Sequence, residues 1–265
     1  MSWPVSVQVC TLNESANIVE CLEAIRLNDT QEVLVIDGGS QDDTVELARQ
    51  AGVLVIEAGP VGLAKQRRIG YQETQMEYVA FVDADDRIEP GWIQNLLEQL
   101  NTGGYAALQS LLRVPPPKNF WTSGWDRYFE QTIQPAADVI MVGRPALYRT
   151  EALRTITSHP SMTIEDTEMS RELQLKGFRQ GIGTTVSYRY CPNSASENFS
   201  KWKSYGRGYR QFIHANPDRR TAILRHITWT IPVARTWRPF LRGHLTQPIF
   251  GALMAVNVLI GFARG

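Results

Sequence analysis

The segment 77–92 reads EYVAFVDADDRIEPGW. An apolar run from Tyr78 to Val82 ends in Asp83, Asp85 and Asp86, three carboxylates within four positions. Crowded carboxylates repel one another, and a hard divalent cation, Mn2+ or Mg2+, bridging the Asp83-x-Asp85 pair to a diphosphate would remove that repulsion. The plainer alternative is a solvated turn beside a helix N-terminus, which tolerates acids. A second acidic pair, Glu165 and Asp166, stands in IEDTEMSRELQLKGF, at the expected start of a helix running to Lys176 and stopped by Gly177. A carboxylate in such a place can take the proton of an attacking hydroxyl, or serve only as an N-cap worth about 1 kcal/mol.

The elements that must hold these acids alternate along the first hundred residues. VSVQV reads as a strand, and SANIVECLEAIRL follows with Ile18, Leu22 and Ile25 at helical spacing. EVLVID is a second strand. GGSQDDTVELARQAG then supplies a turn, a capping box of Ser40 and Asp43, an apolar stripe of Val45, Leu47 and Ala48, and Gly52 as the stop. VLVIEA and YVAFVD are further strands, with a helix between them at about Leu63 to Thr74. Apolar strands separated by helices predict an α/β fold, a Rossmann-like, mostly parallel sheet with helices on both faces. Such sheets bind ligands at the carboxyl ends of their strands, where Asp37 and Asp83 both fall.

VSVQVCTLNESANIVECLEAI, VLVIDGGSQDDTVELA, AKQRRIG, FVDADD and IEDTEMSRELQLKGF occur in the order and at roughly the spacing found in family 2 glycosyltransferases of the GT-A fold. YGRGYRQF resembles the segment that follows in exopolysaccharide-type members, so the likeness covers about residues 4 to 213. It implies an inverting transfer of a sugar from a nucleoside diphosphate sugar to a glycan or lipid-linked acceptor. By that likeness Asp85 is the metal ligand, with Asp83 nearer the ribose and sharing the metal. Thr11, Glu14, Asp37, Gly38 and Arg67 line the donor side, and Asp166 is the catalytic base, with Glu165 beside it on the acceptor side. One departure qualifies the match. The family often has a second Asp where this chain has Gly38, although Gly38 and Gly39 would let the backbone approach a ligand closely. Arg68 could replace Arg67 in reaching the base or diphosphate. Asp37 could also merely end its strand, and Glu14 could be a first-turn helix acid.

Residues 104–150 are harder to read. RVPPPKNFWTSGWDRYF suggests an acceptor-side loop or lid, whose Trp121 and Trp125 either stack on a sugar or fill core space. DVIMVGRPALYRTEAL resembles the family's inner strand before the Glu-Asp pair. The expected organisation is a catalytic domain over 1–197, with a nucleotide-sugar half to about 100 and an acceptor half from about 101. A helical extension follows over 198–265.

The formal net charge of zero conceals a split. From 198 to 265 there are eleven Lys and Arg against one acid, Asp218, a net of +10, which leaves −10 on 1–197. Phe199, Trp202, Tyr205, Tyr209 and Phe212 recur at helical intervals among Lys201, Lys203, Arg207 and Arg210, and an uncharged run of 16 residues extends from Pro248 to Ala263. This tail, basic and then apolar, suits a membrane surface or a phosphorylated lipid, with core packing as the alternative and Gly206 and Gly208 weakening the helix. The run falls short of the ~20 residues of a spanning helix, so the expected location is cytoplasmic, peripheral on the inner face of the cell membrane. The N-terminus has no signal-peptide pattern, and Cys10, Cys21 and Cys191 form no paired or zinc-like spacing. A nucleic-acid partner fits poorly with the acidic body. A nucleotidyltransferase would need a basic phosphate loop that TLNESAN lacks, and a non-catalytic scaffold is disfavoured by the intact acids.

Overall fold

The structure, a computed structural model, describes residues 2–116, 118–157, 165–225 and 246–264. Its strands are β1 (Trp3–Thr11), β2 (Thr30–Asp37), β3 (Leu54–Glu57), β4 (Tyr78–Phe81), β5 (Asp86–Ile88), β6 (Ala107–Arg113), β7 (Ala146–Arg149) and β8 (Gln180–Arg189). Its helices are α1 (Ile18–Arg26), α2 (Thr44–Gln50), α3 (Leu63–Glu73), α4 (Trp92–Gly103), α5 (Phe120–Thr132), α6 (Thr150–Arg154), α7 (Glu165–Leu175), α8 (Ala195–Ala215), α9 (Arg220–Arg225) and α10 (Thr246–Arg264). All the strands join one sheet in the order β3-β2-β1-β4-β7-β6-β8-β5.

The first four strands are parallel, because a helix returns the chain after each of the first three. Alternation along β1 sends Val5, Val7 and Val9 to one face, against Ile18, Leu22 and Ile25 of α1 and Leu96 and Leu100 of α4. The other face carries Cys10, Leu34 and Ile36 against Ile69 of α3, then Val79, Phe81 and Tyr148 against Leu153 of α6 and Met169 and Leu173 of α7. Each fully buried aliphatic side chain of this kind stabilises the fold by about 1.5–3 kcal/mol.

Beyond β4 the sheet is mixed. β7 runs antiparallel to both β4 and β6, and β5 antiparallel to β8, while β6 and β8 are parallel. β4 and β5 are consecutive in sequence yet lie four strand spacings apart in sheet order, about 19 Å if flat. The five Cα steps from Phe81 to Asp86 reach at most about 18 Å. They also contain a turn closed by Asp86 N–H to Asp83 O at 2.9 Å, so the sheet must curl. The curl places the acid turn 83–86 between the carboxyl end of β4 and the end of β8.

The expected Ser40–Asp43 capping box is not formed. The Ser40 hydroxyl donates to Asp37 instead, and Asp42 holds the entry to α2 by accepting from Thr44 N at 3.1 Å and Ser15 N at 3.1 Å. Asp37, at the strand end, competes better for the serine because it is fixed and buried.

Among the described residues, β1–β8 with α1–α4, α6 and α7 form one compact unit, and α5, α8, α9 and α10 belong to a second. Residues 114–132 therefore cluster with the C-terminal helices. From Phe120 onward the segment read as a loop or lid is the helix α5, whose start Asn119 caps by accepting from Thr122 N at 3.0 Å. In this second unit α8 and α10 cross with their backbones in contact. A Cβ on Gly206 would lie 2.1 Å from Val258 O, and one on Gly261 2.0 Å from Lys203 O. Gly206 thus makes the crossing possible, whatever it costs in helix propensity. Trp202 and Phe212 of the aromatic stripe are buried, and Trp202 packs against Trp121, Trp125, Phe199 and Phe250. By length and composition α10 could cross a bilayer, but 44% of its apolar window is buried. The Trp and Arg residues of 226–245 lie outside the described residues.

Candidate active site

Gly70 sets the geometry of the donor side. A Cβ there would lie 2.3 Å from Gln8 Oε1 and 3.0 Å from Ile36 Cδ1, so its absence lets α3 settle directly on β1 and β2. Arg67, one turn earlier, is carried into the interior and is 1% exposed. Its Nη2 donates to Asp83 Oδ1 at 2.9 Å, its Nε donates to Glu165 Oε1 at 3.1 Å, and its guanidinium stands 5.1 Å from the Phe81 ring centre. Where the sequence suggested that Arg67 reaches the base or diphosphate, the structure gives Nη2 and Nε to carboxylates of the chain and leaves Nη1 buried with no partner among the described residues.

Two further arginines complete the arrangement. Arg144, ahead of β7, places Nη2 3.5 Å from Glu165 Oε1 and Nη1 3.3 Å from the Tyr148 hydroxyl. Arg189, at the end of β8, donates from Nε and Nη2 to the two oxygens of Asp86 at 2.7 Å each, and from Nη2 to Asp83 Oδ2 at 2.8 Å. Sequence reading missed both. The signal available was the acid crowding itself, which demands counter-charges from somewhere in the chain, and a strand ending in YRY at the same sheet edge.

The acids are thereby differentiated. Asp83 has an arginine on each oxygen, and although burial opposes ionisation, Arg67 and then Arg189 hold its carboxyl well below the usual range. Asp86, fully buried, is pushed by burial, with Asp85 and Asp83 adding to it, up to about 7 despite Arg189. Asp85 stands 3.8 Å from Arg189 Nε, outside hydrogen-bonding range of that nitrogen. Oxygens of Asp83, Asp85 and Asp86 lie within 4.8 Å of one another. Arg67, Arg144 and Arg189 pair with Asp83, Asp86 and Glu165, and Arg87 donates from Nη1 to the Ala84 and Asp86 carbonyls of the turn at 2.9 Å each. The carboxylate oxygens of Asp83, Asp85 and Asp86 form an all-oxygen donor set that fits a hard divalent cation.

Glu165, expected on the acceptor side, is 5% exposed; burial pushes its carboxyl up, and it ties the first turn of α7 to Arg67 and Arg144. Asp166, the next residue, is half-buried in that first turn, where its Oδ1 accepts from Thr167 N at 2.7 Å. The bonds Asp83–Arg67–Glu165 thus link the acid turn to the helix that carries Asp166.

Asp37 closes on itself at the end of β2. Gly39 N and Ser40 N donate to Oδ2 at 2.8 Å each, and Thr11 and Ser40 hydroxyls donate to Oδ1. Burial would raise its pKa, yet the bonds from Ser40, Gly39 and Thr11 bring it below the ordinary value. With its acceptor positions filled, Asp37 shapes the 38–40 loop. Gly38 is close to protein rather than open to a ligand: a Cβ there would lie 2.0 Å from Gln66 Nε2. Glu14 sits in the turn before α1 and accepts from Asn17 Nδ2 at 2.8 Å. Trp121 and Trp125 belong to the second unit, where Trp125 is 3% exposed and its indole donates to Asn198 Oδ1 at 2.7 Å. Trp125 is a core residue there, with no open face for a sugar ring.

Comparison with known proteins adds to this geometry. A family profile described as Glycosyl transferase family 2 matches residues 6–157. The putative glycosyltransferase EpsH of Bacillus subtilis is 31% identical over 100 residues, 35% of this chain and 29% of that protein. Glycosyltransferase AglE of Haloferax volcanii is 32% identical over 110 residues, 38% of this chain and 36% of that protein. The matches thus span about a third of the length of these curated relatives. Among solved structures, the mannosyltransferase PcManGT of Pyrobaculum calidifontis, in complex with GDP-Man and Mn2+, superposes with a TM-score of 0.70 at 16% identity. That superposition covers 99% of this chain and 88% of that one. Glucosyl-3-phosphoglycerate synthase of Mycobacterium tuberculosis, with Mn2+, UDP and glucosyl-3-phosphoglycerate, gives a TM-score of 0.56 at 19% identity over 79% of this chain and 78% of that one.

Proposed function

The chain belongs to glycosyl transferase family 2, and from that premise we propose that it is an inverting, metal-dependent enzyme acting on a nucleoside diphosphate sugar. It transfers the sugar to a hydroxyl of a glycan or lipid-linked acceptor. The observation that carries this reading is the continuous link from the acid turn through Asp83, Arg67 and Glu165 to the helix turn bearing Asp166. One rigid network there fixes both a cation-holding group and a carboxylate suited to be the base. The solved relatives with GDP-Man or UDP and Mn2+ support the same donor class and a divalent metal.

Asp85, with Asp83 beside it, holds Mn2+ or Mg2+, whose charge when bound offsets that developing on the leaving diphosphate. The nucleoside rests near Thr11 and Glu14, on the Gly38–Ser40 loop that Asp37 shapes. Asp166 accepts the proton of the acceptor hydroxyl as its oxygen bonds to the anomeric carbon, while the carbon–oxygen bond to the diphosphate breaks on the opposite face.

The same reading takes the basic and apolar tail as an attachment to the cytoplasmic face of a membrane. Support comes from α10, which has no charged residue before Arg264 and presents Ile249, Val256 and Leu259 outward. Sedimentation with anionic vesicles is expected for the wild type and reduced in Val256→Asp; undiminished binding by that variant would remove α10 from the contact.

The deciding experiment is thermal stability against nucleoside diphosphates and their sugars, with and without Mn2+, on wild type and Asp85→Ala. A ligand at 100 times its dissociation constant adds about 2.7 kcal/mol. A Mn2+-dependent shift with one nucleotide, lost in the variant, is the expected result. No shift with any nucleotide on folded wild type sinks the reading.

A further inference from the structure

Arg189 ends β8 directly opposite Asp86 in the antiparallel pairing with β5. Its guanidinium bonds both oxygens of Asp86, bonds Asp83 Oδ2 at 2.8 Å and lies 3.8 Å from Asp85 Oδ1. One side chain therefore faces every acid of the turn. Its neighbour fixes the same turn: Tyr190 N donates to Asp85 O at 2.8 Å, and the Arg87 guanidinium stands 4.9 Å from the Tyr190 ring centre. The planar fork suits this arrangement, since two nitrogens engage one carboxylate while one of them also reaches a second. A divalent cation drawn to the turn needs some of the same oxygens and meets the field of a fixed positive charge beside them.

We propose that Arg189 is a built-in counter-charge that sets the cation affinity of the acid turn and makes divalent-cation binding depend on the donor diphosphate. Arg189 keeps Asp83, Asp85 and Asp86 together without help from a cation, and by the same charge it weakens their attraction for one. The negative charge of a diphosphate offsets that penalty, so cation and nucleotide bind as a pair. Linkage makes the effect reciprocal: the cation strengthens nucleotide binding by the same factor. Arg189 is a positioning residue in this account. The inference rests on the proposed nucleotide and metal site and adds the device that couples its two ligands.

The test measures Mn2+ binding directly, through the paramagnetic resonance signal of the free ion, with the full chain alone and with GDP or UDP. Wild type is expected to bind Mn2+ weakly alone and about tenfold more tightly with one of the nucleotides. Arg189→Met and Arg189→Gln, the second keeping an N–H toward Asp86, are expected to bind Mn2+ alone about tenfold more tightly than wild type and to lose most of the nucleotide gain. Circular dichroism establishes that each variant is folded. Variants that bind Mn2+ alone no more tightly than wild type overturn the role of Arg189 while leaving the enzyme reading intact. Wild type that binds Mn2+ equally well with and without nucleotide overturns it without any variant. No Mn2+ binding by wild type under either condition overturns both readings.

Discussion

Replacing Arg67 with methionine keeps an unbranched stem of similar length on α3 and removes the guanidinium that lies between Asp83 and Glu165. Arg67 is 1% exposed and its bonds are 2.9 and 3.1 Å, so both carboxylates lose a buried partner at once. Asp83 retains Arg189 and, among the described residues, Glu165 retains the longer contact to Arg144 at 3.5 Å. Breaking a buried ion pair from one side costs about 3–5 kcal/mol. For a chain of this size that corresponds to a fall in Tm of about 6–20 °C, at about 2–4 °C per kcal/mol. Urea unfolding of Arg67→Met, Glu165→Gln and the double variant measures the coupling. The double variant is expected to be more stable than Arg67→Met alone, because the neutral amide no longer leaves a charge without its main partner. A loss below about 1 kcal/mol for Arg67→Met, the range of exposed pairs, would refute the argument and return Arg67 to the donor-contacting role.

Asp166→Asn is expected to lower kcat by about 100-fold or more while leaving the donor dissociation constant within about twofold, measured by turnover and by calorimetry. Retained turnover removes Asp166 from the base role. Asp37 has a lowered pKa when folded, so it contributes stability above the unfolded value near 3.9 that is lost as pH falls below it. Denaturation across about pH 2–5 should show a steeper acid decline in wild type than in Asp37→Asn; parallel curves would contradict the four-donor account. Gly206→Ala would place a Cβ 2.1 Å from Val258 O, so the two helices must move apart, and it is expected to cost about 1–3 kcal/mol in urea unfolding. No loss at Gly206 would mean that the crossing has slack.

What was legible in the sequence is the part governed by local pattern. Apolar alternation and helical spacing placed β1 to β4 and α1 to α3 within a few residues, because each segment's burial depends mainly on its own periodicity. The acid turn was visible for the same reason: Asp83, Asp85 and Asp86 are close in the chain before they are close in space. Glu165 and Asp166 were visible as a pair, but which of them faces inward was not, since adjacent residues on a helix differ in direction by about a quarter turn or more and only a partner decides the matter. That partner, Arg67, comes from 98 residues earlier, and Arg189 reaches Asp86 from 103 residues later. The curl of the sheet, the antiparallel insertion of β7, and the exchange of Ser40 from helix cap to Asp37 ligand also belong to the tertiary structure. The sequence by itself determined that carboxylates would crowd at a strand end; folding decided which of them a guanidinium holds and how far Asp85 stands from one. The reason is physical: a buried charge must be matched within a few ångströms, and distance along the chain places no limit on where the match comes from.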